Sequence, residues 1–307
     1  MSMSFALCAL CALLLANDAA APADAAASAD AAAPAQAADA ADGGSAPAAP
    51  IAPIEPTPPT STSSPIAISG VTTSEPVVAL TFDACATKKQ ANGFDRKVFE
   101  ILAREQIPAT FYLSGRWVER HPSAAKVIAA APWIELGNHT YSHPRLTLMR
   151  KERIRLQIQR TNTILERKLG RAALSLRPPA GAWNAKVVRI ANEEHLPVVL
   201  WSIISGDAGG HVPAARMDRA VLEQAKPGAI IIFHINKRAP FTKKALPDII
   251  AGLREKGFRF VTVSQLLALP DSVPIKAKPS RFGFRPRNKA QLPEQKEQGD
   301  DHADPPT

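Results

Sequence analysis

The chain has 307 residues, 46% of them apolar and 21% charged, which suits one sizeable core or two small ones and excludes a fibre or a disulfide-bound miniprotein. No apolar run reaches the roughly 18–20 residues of a membrane-spanning helix; the longest near the start is Phe5–Ala16, so a polytopic membrane protein is excluded. The net charge of +9 is uneven: residues 1–74 hold 6 acids and no Lys or Arg, residues 75–269 hold 30 basic against 16 acidic groups, and residues 270–307 hold 7 against 6.

Phe5–Ala16 and the small residues Asn17–Ala21 have the length and cleavage options of a signal peptide over 1–21, although no Lys or Arg precedes them. Leu7 before Cys8 and Leu10 before Cys11 do not suit lipidation. Once that segment is removed only Cys85 remains, and no intramolecular disulfide can form. Residues 22–74, rich in Ala, Pro, Ser and Thr, present no apolar face and are expected to be a disordered linker. Residues 270–307 read the same way, with scattered Lys, Arg and Pro and an acidic end. One folded domain, 75–269, is left between them.

Within it, β-rich runs alternate with helix-period segments. Strands are expected at Val77–Phe82, Ala109–Leu113, Trp133–Leu136, Leu174–Arg177, Val198–Trp201, Ile230–His234 and Phe258–Val261. Helices are expected near Phe94–Glu105, Ser123–Ala131, Arg150–Leu169, Ala185–His195, Ala214–Gln224 and Lys243–Lys256. This order is the signature of βα units on a parallel sheet, an α/β fold. Seven strands favour a barrel; an open doubly wound sheet would fit the count too, but no Gly-x-Gly-x-x-Gly follows the first strand. In a barrel the chemistry sits at the C-terminal strand ends.

Five strand ends carry polar or ionisable groups where the apolar run stops. The first ends in Thr81-Phe82-Asp83-Ala84-Cys85 and the third leads into Asn138-His139-Thr140-Tyr141-Ser142-His143-Pro144. The fourth leads into Arg177-Pro178-Pro179-Ala180-Gly181, the fifth into Trp201 and Asp207, and the sixth ends on His234. His139 and His143, four apart, would share one face of a helical turn and could clamp a divalent ion. Pro144 disfavours helical backbone at His143, so that turn must stop there or be irregular.

These five motifs, in this order, resemble those of the polysaccharide deacetylases of the NodB-homology family, carbohydrate esterase family 4, over about residues 75–268. The resemblance implies a distorted (β/α)7 barrel and a hydrolase acting on carbon–nitrogen bonds other than peptide bonds. Such an enzyme removes N- or O-acetyl groups from peptidoglycan, chitin-like glycan or xylan with a divalent metal, usually zinc. Carried over residue by residue, it makes Asp83 the general base, His139 and His143 metal ligands, and Arg177 the partner that orients Asp83. The backbone N–H near Ala180 would hold the oxyanion, His234 would be the general acid, and Asp207 would tune it. The implied partner is an acetylated polysaccharide outside the cell or in its envelope, with no nucleic acid and no transmembrane span.

One departure is large: Ala84 stands where the family usually has a second Asp, the third metal ligand. Three readings stay open here. His139 and His143 hold the metal with extra water or with Asp83; the Cys85 thiolate substitutes; or no metal is held. Ile204 and Ala208 replace family residues of the fourth motif, and Ala180 stands where an aromatic often follows Pro. The acetyl pocket is therefore expected to be wider, or lined by Trp183 and Trp201, unless both fill the core. Asp83 with Asp207 could alternatively form a glycosidase pair, but that chemistry needs no histidines at metal spacing. A silent glycan-binding module is the reading that Ala84 supports. The basic charge suits an anionic polymer such as cell-wall glycan, and no nucleic-acid recognition motif accompanies it.

Overall fold

The computed structural model describes residues 66–87, 93–209 and 212–278. The expected signal segment 1–21, the linker up to residue 65 and the tail from residue 279 lie outside them. Within the described residues nine strands form one curled sheet: β1 (Ala67–Thr72), β2 (Val77–Ala84), β3 (Ala109–Leu113), β4 (Ile134–Asn138), β5 (Val198–Val199), β6 (Ile203–Ile204), β7 (Ala229–His234), β8 (Arg259–Phe260) and β9 (Val273–Lys276). Among the described residues eight α-helices accompany it: α1 (Arg96–Arg104), α2 (Gly115–Arg120), α3 (Pro122–Ala130), α4 (Lys151–Leu169), α5 (Ala185–Glu193), α6 (Ala214–Leu222), α7 (Thr242–Glu255) and α8 (Val263–Leu267).

Strands β2, β3, β4 and β7 are parallel, in the order β4-β3-β2-β7. β2 is buried along its whole length, which is what a continuous apolar run between two packed layers dictates. Alternation sorts its side chains. Phe82 and Ala84 join the cluster that the helices cover, with Val98 and Leu102 of α1 and Leu246 and Ile249 of α7. Phe82 stacks between its registered neighbours Phe111, at 5.1 Å, and Phe233, at 5.4 Å. Ala79, on the opposite parity, packs inside with Tyr112, Val199, Ile230 and Val261, and Asp83 shares that parity.

Three expectations are corrected. Leu174–Arg177 is not a strand; only Leu176 bridges, in parallel, to Asn138 on one side and Val198 on the other. Residues 67–72, expected in the linker, are β1, which pairs parallel to β5 and antiparallel to β7 and β9. Residues 273–276, expected in the tail, are β9. Through Leu176 and β1 the staves run β2-β3-β4-Leu176-β5-β1-β7 and back to β2, a closed but irregular seven-member ring. β1 meets β7 only because Gly228, at φ +80°, has no side chain: a Cβ there would lie 2.0 Å from the carbonyl oxygen of Val71.

Candidate active site

Register places the first pair of groups. Asp83 on β2 pairs with His234 on β7, so the two strands deliver a carboxylate and an imidazole side by side where both runs end. Asp83 is buried, and its Oδ1 accepts from Arg177 Nη1 at 2.9 Å. Arg177 follows the bridging Leu176 and is fully buried. Its guanidinium also donates to Thr81 Oγ1 at 2.8 Å, to the Leu200 carbonyl at 2.9 Å and to the Val199 carbonyl at 3.4 Å. Thr81 Oγ1 in turn donates to the Ile231 carbonyl at 2.7 Å. The guanidinium carbon lies 4.0 Å from the centre of the Tyr112 ring and 5.5 Å from that of Trp201. Burial pushes the Asp83 carboxyl up, but the charges of Arg177, His139 and His234 outweigh it and hold the group below its ordinary value.

His234 forms a dyad with Asp207, which sits in a short turn of 3-10 helix, Asp207–Gly209. Nδ1 of His234 is 2.9 Å from Asp207 Oδ1, while Oδ2 accepts from the His234 backbone N–H at 2.6 Å and from Thr242 Oγ1 at 3.0 Å. A carboxylate can only accept, so Nδ1 carries hydrogen and Nε2 is left for the site. Burial depresses the imidazole, but the Asp207 carboxylate overcomes it and its pKa rises. His234 keeps 15% of its side-chain surface exposed.

His139 and His143 do not lie on a helical turn. They sit on the loop after β4, where Thr140 (φ 63°) and His143 (φ 59°) take left-handed backbone. The loop is held by Asn138 Oδ1, which accepts from Thr140 N–H at 2.8 Å, and by Gln157 Oε1, which accepts from Ser142 N–H at 2.9 Å. This brings the two rings to 4.9 Å between centroids. His139 Nδ1 lies 2.8 Å from the Arg177 carbonyl, so it bears the hydrogen, and its Nε2 faces Asp83 Oδ2 at 3.6 Å. Burial lowers the pKa of His139, and burial with the charge of His139 takes His143 down to about 3. Both are neutral at neutral pH, as metal ligands must be.

A third ligand does not join them. Ala84 turns its methyl into the apolar cluster under the helices, and Cys85 is buried with Sγ 3.5 Å from Asn236 Nδ2. Among the described residues no group of three or more His, Cys, Asp or Glu side chains could hold a metal ion. Two imidazoles are one donor short of the three protein ligands that a catalytic zinc takes, so the residues present do not complete that site.

Six of the expected residues, Asp83, Arg177, His139, His143, His234 and Asp207, are therefore gathered. Trp201 joins through Arg177 and packs over Gly181, whose Cβ would lie 2.9 Å from the indole. Ala180 is exposed, at φ 54°. With Trp183, Trp201 and Ile204 it lines a groove of about 680 Å³ whose other walls come from β1, the start of β7 and β9; Asp83, His139 and His234 do not line it. Sequence reasoning did not single out Thr81, Tyr112 or Thr242. The one available signal was alternation: a polar residue two before Asp83 faces inward on the same strand.

Residues 70–199 match the family model described as polysaccharide deacetylase. The chain is 35% identical over 191 residues to a peptidoglycan-N-acetylglucosamine deacetylase of Bacillus cereus, covering 62% of this chain and 67% of that protein. It is 32% identical over 176 residues to the uncharacterized protein YlxY of Bacillus subtilis, covering 57% of this chain and about half, 54%, of that one. Among solved structures, it resembles a CE4 family pseudoenzyme from Bacillus anthracis with a TM-score of 0.60 at 29% identity, covering 66% of this chain and 69% of that one.

Proposed function

This chain belongs to the polysaccharide deacetylase family, and we propose that it is a hydrolase that removes acetyl groups from an acetylated cell-wall polysaccharide at the cell envelope, after export by residues 1–21. The observation that carries this is the register of Asp83 with His234, each already paired to its own partner, Arg177 and Asp207. Their environments push a carboxyl down and an imidazole up, which supports Asp83 as the group that is ionised and His234 as the group that carries a proton.

Asp83 accepts a proton from water as the water oxygen bonds to the acetyl carbon. The carbonyl oxygen takes the negative charge near the Ala180 N–H, a donor worth about 3 kcal/mol when well aimed. The tetrahedral species collapses with cleavage of the carbon–nitrogen bond. His234 Nε2–H gives its proton to the leaving nitrogen, so acetate and a free amino sugar result. Arg177 keeps Asp83 ionised and fixed, and Asp207 keeps His234 protonated and oriented. Zinc is the metal that the family resemblance implies, with His139 and His143 as its ligands; with only those two, no step here is routed through it.

A second reading, binding of the glycan without turnover, is favoured by Ala84 and by the low pKa of Asp83, which makes a weak base of it. The test is acetate release by the full chain from peptidoglycan, chitin oligomers and acetylxylan, with zinc content and retention on each polymer measured in parallel. Acetate from any of them, lost about 100-fold or more in Asp83→Asn and His234→Gln, supports hydrolysis. Retention without acetate leaves the second reading standing.

A further inference from the structure

Arg177 is clamped on its edges and on one face. Its edges are taken by Thr81, Asp83, Val199 and Leu200, and its face lies 4.0 Å from the Tyr112 ring centre. A planar cation held only by its edges can still tilt out of plane, and the tilt would swing Nη1 away from Asp83. An aromatic ring packed against a face of the guanidinium opposes that tilt and attracts the cation.

The ring itself is fixed from two sides. Tyr112 is fully buried, and its hydroxyl lies 2.9 Å from Ser175 Oγ, two residues before Arg177. Across the ladder its registered neighbour is Gly137. A Cβ at Gly137 would lie 2.4 Å and 2.5 Å from two Tyr112 ring carbons, so the ring occupies the space that glycine leaves open. Any other residue at 137 would collide with the ring and force it from this seat.

We infer that Tyr112, seated over Gly137, is a positioning residue that holds the Arg177 guanidinium in the plane from which it orients Asp83. The inference rests on Asp83 being the base. It extends the working group beyond the residues that touch substrate, and it gives Gly137 a function unrelated to backbone freedom.

The test uses the full chain with Tyr112→Leu, which removes the aromatic face and keeps an apolar side chain there, and Tyr112→Phe, which keeps the face and drops the hydroxyl. Tyr112→Leu should lower kcat for acetate release about 10-fold or more with KM within about twofold, and Tyr112→Phe should recover kcat to within about threefold of the original chain. The second readout needs no turnover: solvent exchange of the Arg177 Nε–H by NMR should be slow in the original chain and in Tyr112→Phe, and at least about fivefold faster in Tyr112→Leu. Equal loss in both variants overturns the inference, as does unchanged exchange in Tyr112→Leu. If the original chain releases no acetate, the hydrolytic reading fails, and the exchange rates still decide the role of Tyr112.

Discussion

Replacing Arg177 by Met tests the buried pair most directly. The guanidinium is fully buried and donates to Asp83 Oδ1 at 2.9 Å. The methionine would leave a buried carboxylate facing His139 Nε2 at 3.6 Å, and would strip a donor from the Val199 and Leu200 carbonyls. Breaking one side of a buried pair costs about 3–5 kcal/mol, which for a domain of this size is a fall of about 6–20 °C in Tm. Asp83→Asn in the same chain removes the stranded charge, so the double variant should regain about 1–2 kcal/mol over the sum of the two single losses. The pH dependence has a definite sign. Because the folded-state pKa of Asp83 is depressed, its stabilisation is present above the unfolded value near 3.9 and is lost as pH falls through the folded one. Arg177→Met should abolish that acid-side loss. Thermal melts from about pH 2.5 to 8 would refute the reasoning if Arg177→Met cost under about 1 kcal/mol or if the two substitutions simply added.

Asp207→Asn should lower acetate release about 100-fold or more. It should also move the alkaline limb of the rate profile to lower pH, since the raised pKa of His234 depends on that carboxylate. The stability that His234 lends is present below about 6.5 and fades as pH rises through its folded value, so Asp207→Asn should flatten melts across that range; an unmoved alkaline limb contradicts this. Gly228→Ala should cost about 2 kcal/mol or more by urea unfolding, because its Cβ would collide with Val71; a neutral result would mean that β1 does not need that approach. Cys85→Ser should leave zinc affinity by titration calorimetry unchanged, because Sγ is turned to Asn236, and a loss of affinity would restore the thiolate as a ligand.

The strands β2, β3 and β7 are legible because each is a largely apolar run, and the polar residues that end β2 and β7, Asp83 and His234, are brought side by side by the register. Leu174–Arg177 bonds to both neighbours, Arg177 N–H to the Asn138 carbonyl at 2.9 Å and Val199 N–H to the Leu176 carbonyl at 2.9 Å, but the pairing extends no further than the single bridging residue Leu176, so the run falls short of the expected strand. β1 was hidden by composition, since Ala67–Thr72 follows Pro, Ser and Thr and has a Gly in its middle, and only its partners make it a strand. The His139–His143 spacing singled out two residues whose rings do come together, though by another geometry. A loop pinned by Asn138 and Gln157 brought the rings together where a helix had been expected. Thr81, Tyr112 and Thr242 escaped notice because a strand or helix holding them looks ordinary until their partners are known.

The clasp between β1 and β9 carries a consequence for synthesis. Ile68 pairs with Lys276 and Thr72 with Val273, and Thr73 and Ser74 bond to Asp271 across nearly 200 positions of sequence. The stave that closes the ring is thus among the first parts of the domain to leave the ribosome, and its fastening strand is among the last. Contacts of such long range are slow to form and come late. Until Lys276 has emerged, β1 waits without its longest partner, and the nascent chain presents an open sheet edge for which a chaperone or an export factor can compete.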